Sequence, residues 1–414
     1  MAIVASGTAG AQAITIAFAP VITRLYGPEA FGLLGAFLAV VTILTPLAAL
    51  AYPIAIVLPR TDSEARGIAR LSLLIIASLT VALLLVFLFA GEMLGSILGL
   101  DAVGHLILLI PLALLLSGLL SIVRQWLIRK KQFGVTARVA IIQSAIVNSA
   151  KAGLGWLHPV AGVLILLATL GSALHVALLY FGLRQTREPQ ATDHSAGEEP
   201  PPSLGVIAAR YHDFPAYRAP QNFINAASQS LPILMLASLF GPAAAGFYAI
   251  GKTVMGLPSS LIGGSVSDVF YPRITEAAHR GEDITALILR ATAGLVAIGI
   301  IPFGLVVLFG PWLFEVVFGS AWTTAGEYAR WLALFFFFNF INKPAVAAVP
   351  VLGLQKGLLV YEVFSTGSKV VALYLGFYLF ESDLVAVALF SVFGVIAYAI
   401  MIGWIVASSR WRLR

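Results

Sequence analysis

The apolar positions of this chain fall in long unbroken runs, with neither the strict alternation of half-buried strands nor the one-sided spacing of surface helices. A window of about 19 residues separates twelve runs, near 3–23, 31–57, 69–90, 105–127, 137–156, 160–183, 221–239, 244–268, 291–310, 329–349, 357–379 and 384–408. Each matches or exceeds the ~20 residues that carry a helix across ~30 Å of hydrocarbon. The pattern predicts an all-α integral membrane protein with about 12 transmembrane helices. Pro46, Pro53, Pro111, Pro232 and Pro258 fall inside runs and predict fixed kinks, tolerated where neighbours satisfy the freed carbonyls. Every polar stretch is shorter than about 35 residues, too short to bury a core of its own, so no extramembrane domain is expected.

The longest polar stretch, Arg184 to Ser203, combines Pro, Gly and charge as a disordered linker does. The segment after it, Arg210 to Arg218, mixes aromatics with Arg as an interfacial segment does. This linker separates six runs from six. An internal repeat supports the division, because Leu25-Tyr26-Gly27-Pro28 through Gly32 recurs as Leu239-Phe240-Gly241-Pro242 through Gly246 at a constant offset of 214. Six helices per half brings the second copy in with the same orientation, a parallel repeat about an axis along the membrane normal. The expected organisation is a six-helix bundle over 1–183, a cytoplasmic linker and interfacial segment over 184–218, and a second bundle over 219–414. Two such bundles facing each other are the architecture of an alternating-access transporter.

Composition agrees: 60% of the 414 residues are apolar and 11% charged, against roughly 25% charged in a soluble domain. The absence of cysteine excludes disulfides, thiolate metal sites, iron–sulfur clusters and a cysteine nucleophile. The net charge of +6 reflects topology rather than nucleic-acid binding, since the basic residues are spread over short loops instead of forming one stripe. With the N-terminus inside, 20 of the 25 basic residues fall in inner loops or the tail, Arg124 among them, and the outer loops hold only Arg24 and Arg330. By the positive-inside rule both termini and the linker around His194 are expected in the cytoplasm. Met1 to Gly27 lacks the basic start of a signal peptide, so no cleavage is expected.

The ordered set Thr23-Arg24-Leu25-Tyr26-Gly27-Pro28-Glu29-Ala30-Phe31-Gly32, then Ala55 to Pro59, resembles the opening of the polysaccharide-biosynthesis flippases, the Wzx-type O-antigen transporters. The second half adds Phe240-Gly241-Pro242, Gly246-Phe247-Tyr248-Ala249, Leu257-Pro258 and Val269 to Pro272. The most specific segment is Phe318-Gly319 with Trp322, Ala325-Gly326, Tyr328 and Arg330. The resemblance spans nearly the whole chain. It implies the multidrug/oligosaccharidyl-lipid/polysaccharide exporter superfamily fold and, as substrate, an undecaprenyl-diphosphate-linked oligosaccharide moved from the inner to the outer leaflet of the bacterial cytoplasmic membrane. Such proteins usually begin with a basic amphipathic stretch, whereas this chain is apolar from Ile3.

A flippase breaks no bond in its cargo, so the expected constellation is a set of sparse basic groups, amides and hydroxyls on helices. Lys369, at 1.5 Å per residue, lies ~18 Å into its run, with Glu362 two turns earlier on the same face. Lys252 matches a basic position that follows the Gly-x-Tyr segment in the family. A charge at a helix centre costs roughly 2.5–3.5 kcal/mol, so these groups must face water, one another or a ligand. Arg24 closes the first run beside the Gly-Pro turn, either as an interfacial anchor or as a diphosphate contact. Asn222, Asn225 and Gln229 form an amide stripe able to bond sugar hydroxyls or to glue helices. Ser144, Asn148 and Lys151 share a face of the fifth run, and Asn339 and Asn342 sit on the tenth. Glu362, or failing it Asp268, is the candidate for proton coupling.

No Gly-x-x-x-x-Gly-Lys-Ser/Thr loop is present, and the six histidines show no metal-ligand spacing. Neither an enzyme, a cofactor nor a metal is expected. The expected partners are the lipid-linked oligosaccharide, membrane lipids and polysaccharide polymerase or assembly proteins, around a monomer and without nucleic acid. The alternatives are a drug exporter of the same superfamily, which would want acidic groups inside, a membrane glycosyltransferase or ligase, and a non-transporting assembly partner.

Overall fold

The computed structural model describes residues 2–185 and 203–411, with side chains at 2–6, 260–269, 359 and 411 outside the described set. The linker around His194 lies outside the described residues. All regular structure among the described residues is helical. The first half supplies α1 (Ala2–Leu25), α2 (Pro28–Ala48), α3 (Asp62–Leu98), α4 (Leu109–Arg129), α5 (Phe133–Leu157) and α6 (Ala161–Gln185). A short α7 (Leu204–Arg210) and a π turn at Phe214–Arg218 lead into α8 (Ala219–Phe240). Then come α9 (Pro242–His279), α10 (Ile284–Phe318), α11 (Thr323–Ile341), a short α12 (Lys343–Ala348), α13 (Gln355–Phe380) and α14 (Asp383–Trp411). Among the described residues ten helical segments are long and apolar enough to cross a membrane. With α1 and α9, of 24 and 38 residues, the long helices match the twelve apolar runs. The protein is a multi-pass membrane protein.

The helix ends follow local chemistry. Thr61 accepts a hydrogen bond from the Glu64 amide and opens α3 as one half of a capping box. Gly99, at φ +67°, closes α3 in the left-handed conformation that glycine adopts without penalty. Asp283 opens α10 by accepting from the Ala286 amide at 3.0 Å. The run 31–57 is not one helix, however. α2 stops at Ala48, Leu50 and Ala51 take positive φ, and Tyr52–Val57 forms a separate 3-10 turn. Pro53 therefore starts this turn instead of kinking a helix, and Pro111 lies in the first turn of α4, where proline is tolerated. Pro46, Pro232 and Pro258 do lie inside helices.

The chain divides into two units, Met1–Pro242 and Ala243–Arg414. In the first, α1 lies along α5, and α8 packs on α2. The grouping by contact thus assigns α8 to the first unit, although the repeat begins its second copy there. Tyr26, fully buried, enters a notch left by Gly155 and donates to the Lys151 carbonyl at 3.1 Å. Thr15, Ser144 and Asn148 join α1 to α5, with Ser144 donating to the Ala11 carbonyl at 2.9 Å and the Asn148 amide donating to Thr15 Oγ1 at 3.3 Å. These polar residues of the fifth run are interhelical glue.

The end of the first unit that holds the α2–α3 connection is tied by charge. Arg129 donates to Asp62 at 2.9 Å and to the carbonyls of Ile56 and Pro59 at 3.1 and 2.7 Å, and Lys130 reaches the other Asp62 oxygen. Glu64 accepts from Arg210 and Tyr211 of the interfacial segment, while Ile207 is buried over Gly67. Partial burial alone would raise the Asp62 carboxyl, but the hydrogen bonds and charges of Lys130 and Arg129 outweigh it and hold the group below its ordinary value. A carboxyl lowered in the folded state stabilises above its unfolded pKa, about 3.9, and loses that contribution as pH falls through the folded value. Asp62→Asn is expected to cost about 0.5–1 kcal/mol at pH 7, as for a partly exposed pair. Thermal melts in detergent at pH 7 and near pH 3.5 should show the gap from wild type closing in acid; a gap independent of pH would refute the account.

In the second unit, α10 and α11 cross at a glycine pair. A Cβ on Gly326 would lie 2.4 Å from Pro311 Cα and 2.6 Å from the Gly310 carbonyl oxygen, so only hydrogen fits there. Pro311 lacks the N–H that would bond the carbonyl four residues back. That carbonyl, Val307, accepts from Arg330 Nε at 2.9 Å, and Leu308 from the same guanidinium at 3.5 Å. Arg330 thus repairs the helix at its proline, a role that loop position alone did not disclose. Trp322 and Tyr328 are fully buried, and the Phe247 ring lies edge-on 6.3 and 5.8 Å from theirs. The family-like segments Gly246-Phe247 and Trp322 to Tyr328 therefore pack against each other.

Candidate functional site

The chemistry of the second unit gathers on α13, whose seat is set by small residues. A Cβ on Gly376 would lie 2.3 Å from Ala386 Cα, and one on Gly357 would strike the Trp404 ring at 2.5 Å, so α13 approaches α14 closely at both ends. On the face turned to that contact, Ser365, Ala372 and Leu373 are buried, and Lys369 lies among them half-buried. Its Nζ stands 5.7 Å from the centroid of the Phe335 ring on α11. An ammonium over an aromatic face is attracted by the ring quadrupole, by ~0.5–2 kcal/mol depending on desolvation. Gly394 of α14 makes room for the ring, since a Cβ there would meet Phe335 at 2.3 Å.

Phe335 in turn packs against Phe390 at 5.2 Å and Tyr398 at 5.5 Å, and Phe390 against Tyr248 of α9 at 6.0 Å. The Asn339 amide donates to the Tyr398 hydroxyl. Lys252 follows Tyr248 by one turn on the buried side of α9 and is half-buried. Glu362 is exposed on α13 and close enough to influence Tyr361, Lys369 and Tyr398 electrostatically. The arrangement is a line of aromatic rings with Lys369 over Phe335, Lys252 one turn along α9 from Tyr248, and Glu362 two turns along α13 from Lys369. It suits an anionic ligand that also presents apolar or ring faces. Depth along the run singled out Lys369 and Glu362 as candidates, and the resemblance Lys252; Phe335, Phe390, Tyr248 and Tyr398 were missed, because within an aromatic-rich run no local signal marks which ring meets a lysine.

Arg24 and the amide stripe lie in the first unit. Arg24 is exposed in the last turn of α1. On α8, Gln229 donates to the Asn225 side chain at 2.8 Å, both residues exposed, while Asn222 is half-buried. Two members of the stripe therefore remain open on the helix surface. Asp268 falls in 260–269, outside the described side chains. Asn342 is buried and donates to the Met401 sulfur at 3.4 Å, a packing contact. Among the described residues no group of three or more His, Cys, Asp or Glu is placed to hold a metal ion.

Solved structures share this fold. An inward-facing multidrug resistance transporter of the MATE family and MOP superfamily superposes with a TM-score of 0.74 at 15% identity, over 97% of this chain and 94% of that one. The lipid II flippase MurJ, in an inward closed conformation, gives 0.73 at 10% identity, over 98% and 87%. A MOP superfamily transporter from Pyrococcus furiosus, described as having a binding pocket of reversed polarity, gives 0.59 at 14% identity, over 99% and 94%. At such identities the likeness establishes the fold alone, that of the MOP superfamily. No curated protein sequence matches the chain. A family model described as polysaccharide biosynthesis protein matches residues 21–327. With about three quarters of its length under that model, the chain belongs to the polysaccharide biosynthesis protein family.

Proposed function

We propose that the protein is a secondary transporter that flips an undecaprenyl-diphosphate-linked oligosaccharide from the inner to the outer leaflet of the bacterial cytoplasmic membrane by alternating access. Family membership and the transporter fold support transport in polysaccharide assembly. The observation that carries the choice of cargo is Lys369 over Phe335, inside helices that cross the membrane. A diphosphate entering a low-dielectric interior needs compensating positive charge, and sugar rings pack on aromatic faces. Separated lysines bind more loosely than a bidentate arginine fork, which favours release. A cationic drug would be repelled by the same groups. Lys252, Arg24 and the amides of Asn222, Asn225 and Gln229 are the further cargo contacts in this reading. The basic residues of the inner loops support a cytoplasmic location for both termini.

Vesicles containing the purified protein and a fluorescent undecaprenyl-diphosphate oligosaccharide test this directly. Cargo in the outer leaflet should become accessible to an impermeant quencher faster than in protein-free vesicles, and equal rates would sink the proposal. Glu362, with Asp268 as the second choice, is the proposed proton-coupling group, because it is a carboxylate carried by a membrane-spanning helix two turns from Lys369 on α13. Glu362→Gln should abolish the response of flipping to an imposed pH gradient while leaving cargo binding intact. An unchanged gradient response removes Glu362 from the coupling role.

A further inference from the structure

We propose that Asn339 and Tyr398 form a sugar subsite beside Lys369 that binds the ring nearest the cargo's diphosphate through its hydroxyls. The inference rests on the flippase reading and deepens it, since it divides the same cargo between two adjoining stations. Three helices of the second unit define the place. α11 and α13 both pack along α14, yet among the described residues they scarcely touch each other, so α14 forms a floor between two walls. Gly376 and Gly357 seat α13 on that floor, and Gly394 seats the Phe335 ring of α11. Lys369 reaches from one wall toward the other, its Nζ 5.7 Å from the Phe335 centroid.

Asn339 follows Phe335 by four residues and Tyr398 follows Gly394 by four, so each lies on the same stripe of its helix one turn further along. The two meet there: the Asn339 amide donates to the Tyr398 hydroxyl at 2.5 Å, and the Tyr398 ring stays 5.5 Å from that of Phe335. By the rise of a helix this second layer stands ~6 Å from the first. Both residues are half-buried. Among the described residues neither the phenolic proton nor the Asn339 side-chain oxygen has a partner. Turning the amide over exchanges the roles but still leaves the pair a donor and an acceptor to spare. Asn342, by contrast, is buried and gives its amide to the Met401 sulfur.

Polar groups inside a protein are rarely left unpaired, and one bridging hydroxyl would satisfy both spare groups at once. A phosphate only accepts hydrogen bonds and a cation is repelled by Lys369, whereas a sugar hydroxyl both donates and accepts, as this pair does. The apolar face of a sugar ring can lie against the rings of Phe335 and Tyr398, which the Asn339 bond helps to hold. A spacing of one helical turn sets the sugar directly beside the diphosphate at Lys369, as a glycosyl diphosphate linkage requires.

The test uses the full-length protein in nanodiscs of zwitterionic lipid, with undecaprenyl diphosphate and undecaprenyl diphosphate glucose offered together and bound lipid counted by mass spectrometry. Wild type is expected to prefer the glycosylated probe severalfold. Tyr398→Phe, which keeps the ring and removes the hydroxyl, and Asn339→Leu should each reduce that preference at least about threefold, the order of one hydrogen bond. Lys369→Ala should weaken both probes alike. Melting temperatures of the same preparations separate a packing role: if Tyr398→Phe melts lower but keeps the wild-type preference, the pair is interhelical glue and the subsite falls. A preference unchanged in both variants also overturns it. If Asn339→Leu does not fold, Tyr398→Phe decides alone. If wild type binds neither probe, the flippase reading fails with the subsite; binding of both probes without discrimination refutes the subsite alone.

Discussion

Lys369→Ala is expected to lower flipping by at least about tenfold at matched levels of folded protein, a factor equal to ~1.4 kcal/mol. The side chain lies over the Phe335 ring, and removing it leaves that ring without its cation and, in the proposed reading, a diphosphate cargo without a counter-charge. Lys369→Arg should retain part of the activity, since guanidinium also stacks on aromatic faces but holds phosphate in a tighter fork. Lys151→Ala should have a smaller effect, because the observed contribution of Lys151 is its backbone carbonyl, which accepts from Tyr26 and survives the substitution. A melting temperature measured on the same preparations separates the two roles of Lys369. If Lys369→Ala flips normally, the lysine is structural; if its melting falls while activity per folded molecule persists, its work is to hold α11 to α13.

Gly326→Val is expected to abolish accumulation of folded protein. The new Cβ would have to occupy space held by backbone atoms of Gly310 and Pro311, at 2.6 and 2.4 Å, and backbone cannot turn aside as a side chain can. Overpacking of this kind costs ~1–3 kcal/mol or more against a typical net stability of ~5–15 kcal/mol. Separating α10 from α11 would also pull Arg330 from the Val307 carbonyl and expose Trp322 and Tyr328, so several contributions are lost together. Gly153→Val is the control, because nothing lies within 4 Å of a Cβ there. Size-exclusion yield and thermal melting in detergent report both variants. Equal yields and melting for Gly326→Val and wild type would mean that the crossing is not as close as described.

These two sites show how differently the segments that mark the family work. Phe318-Gly319 to Arg330 is the most specific stretch of the resemblance, yet each of its residues that the structure explains serves packing. Gly319 turns the chain at φ +106°, Trp322 and Tyr328 fill the core, Gly326 admits α10, and Arg330 satisfies the carbonyl freed by Pro311. Lys369 belongs to no such segment. A family pattern concentrates where backbones meet closely, since there only one residue type fits, whereas a charge that meets cargo needs only the right depth and face.

The sequence by itself determined the number and order of the spanning helices, the places of most helix ends, and the residues whose charge is expensive in a membrane. These are local properties: run length against bilayer thickness, capping and turn chemistry, and the cost of burying an ion. The break of the run 31–57 at Leu50 and Ala51 was not legible, because a 3-10 turn held by Arg129 through the Ile56 and Pro59 carbonyls is as apolar as a helix. Nor was the placing of Arg330 on a proline kink, since charge counted along the chain assigns it to a loop. The partners of Lys369 came only with the tertiary structure: Phe335 lies 34 residues earlier, on a helix whose aromatic positions look alike until Gly394 admits one ring and α13 brings the lysine over it. Helices in a bilayer form from their own sequence, but which faces meet is settled by packing between them, where small residues and unsatisfied polar groups decide.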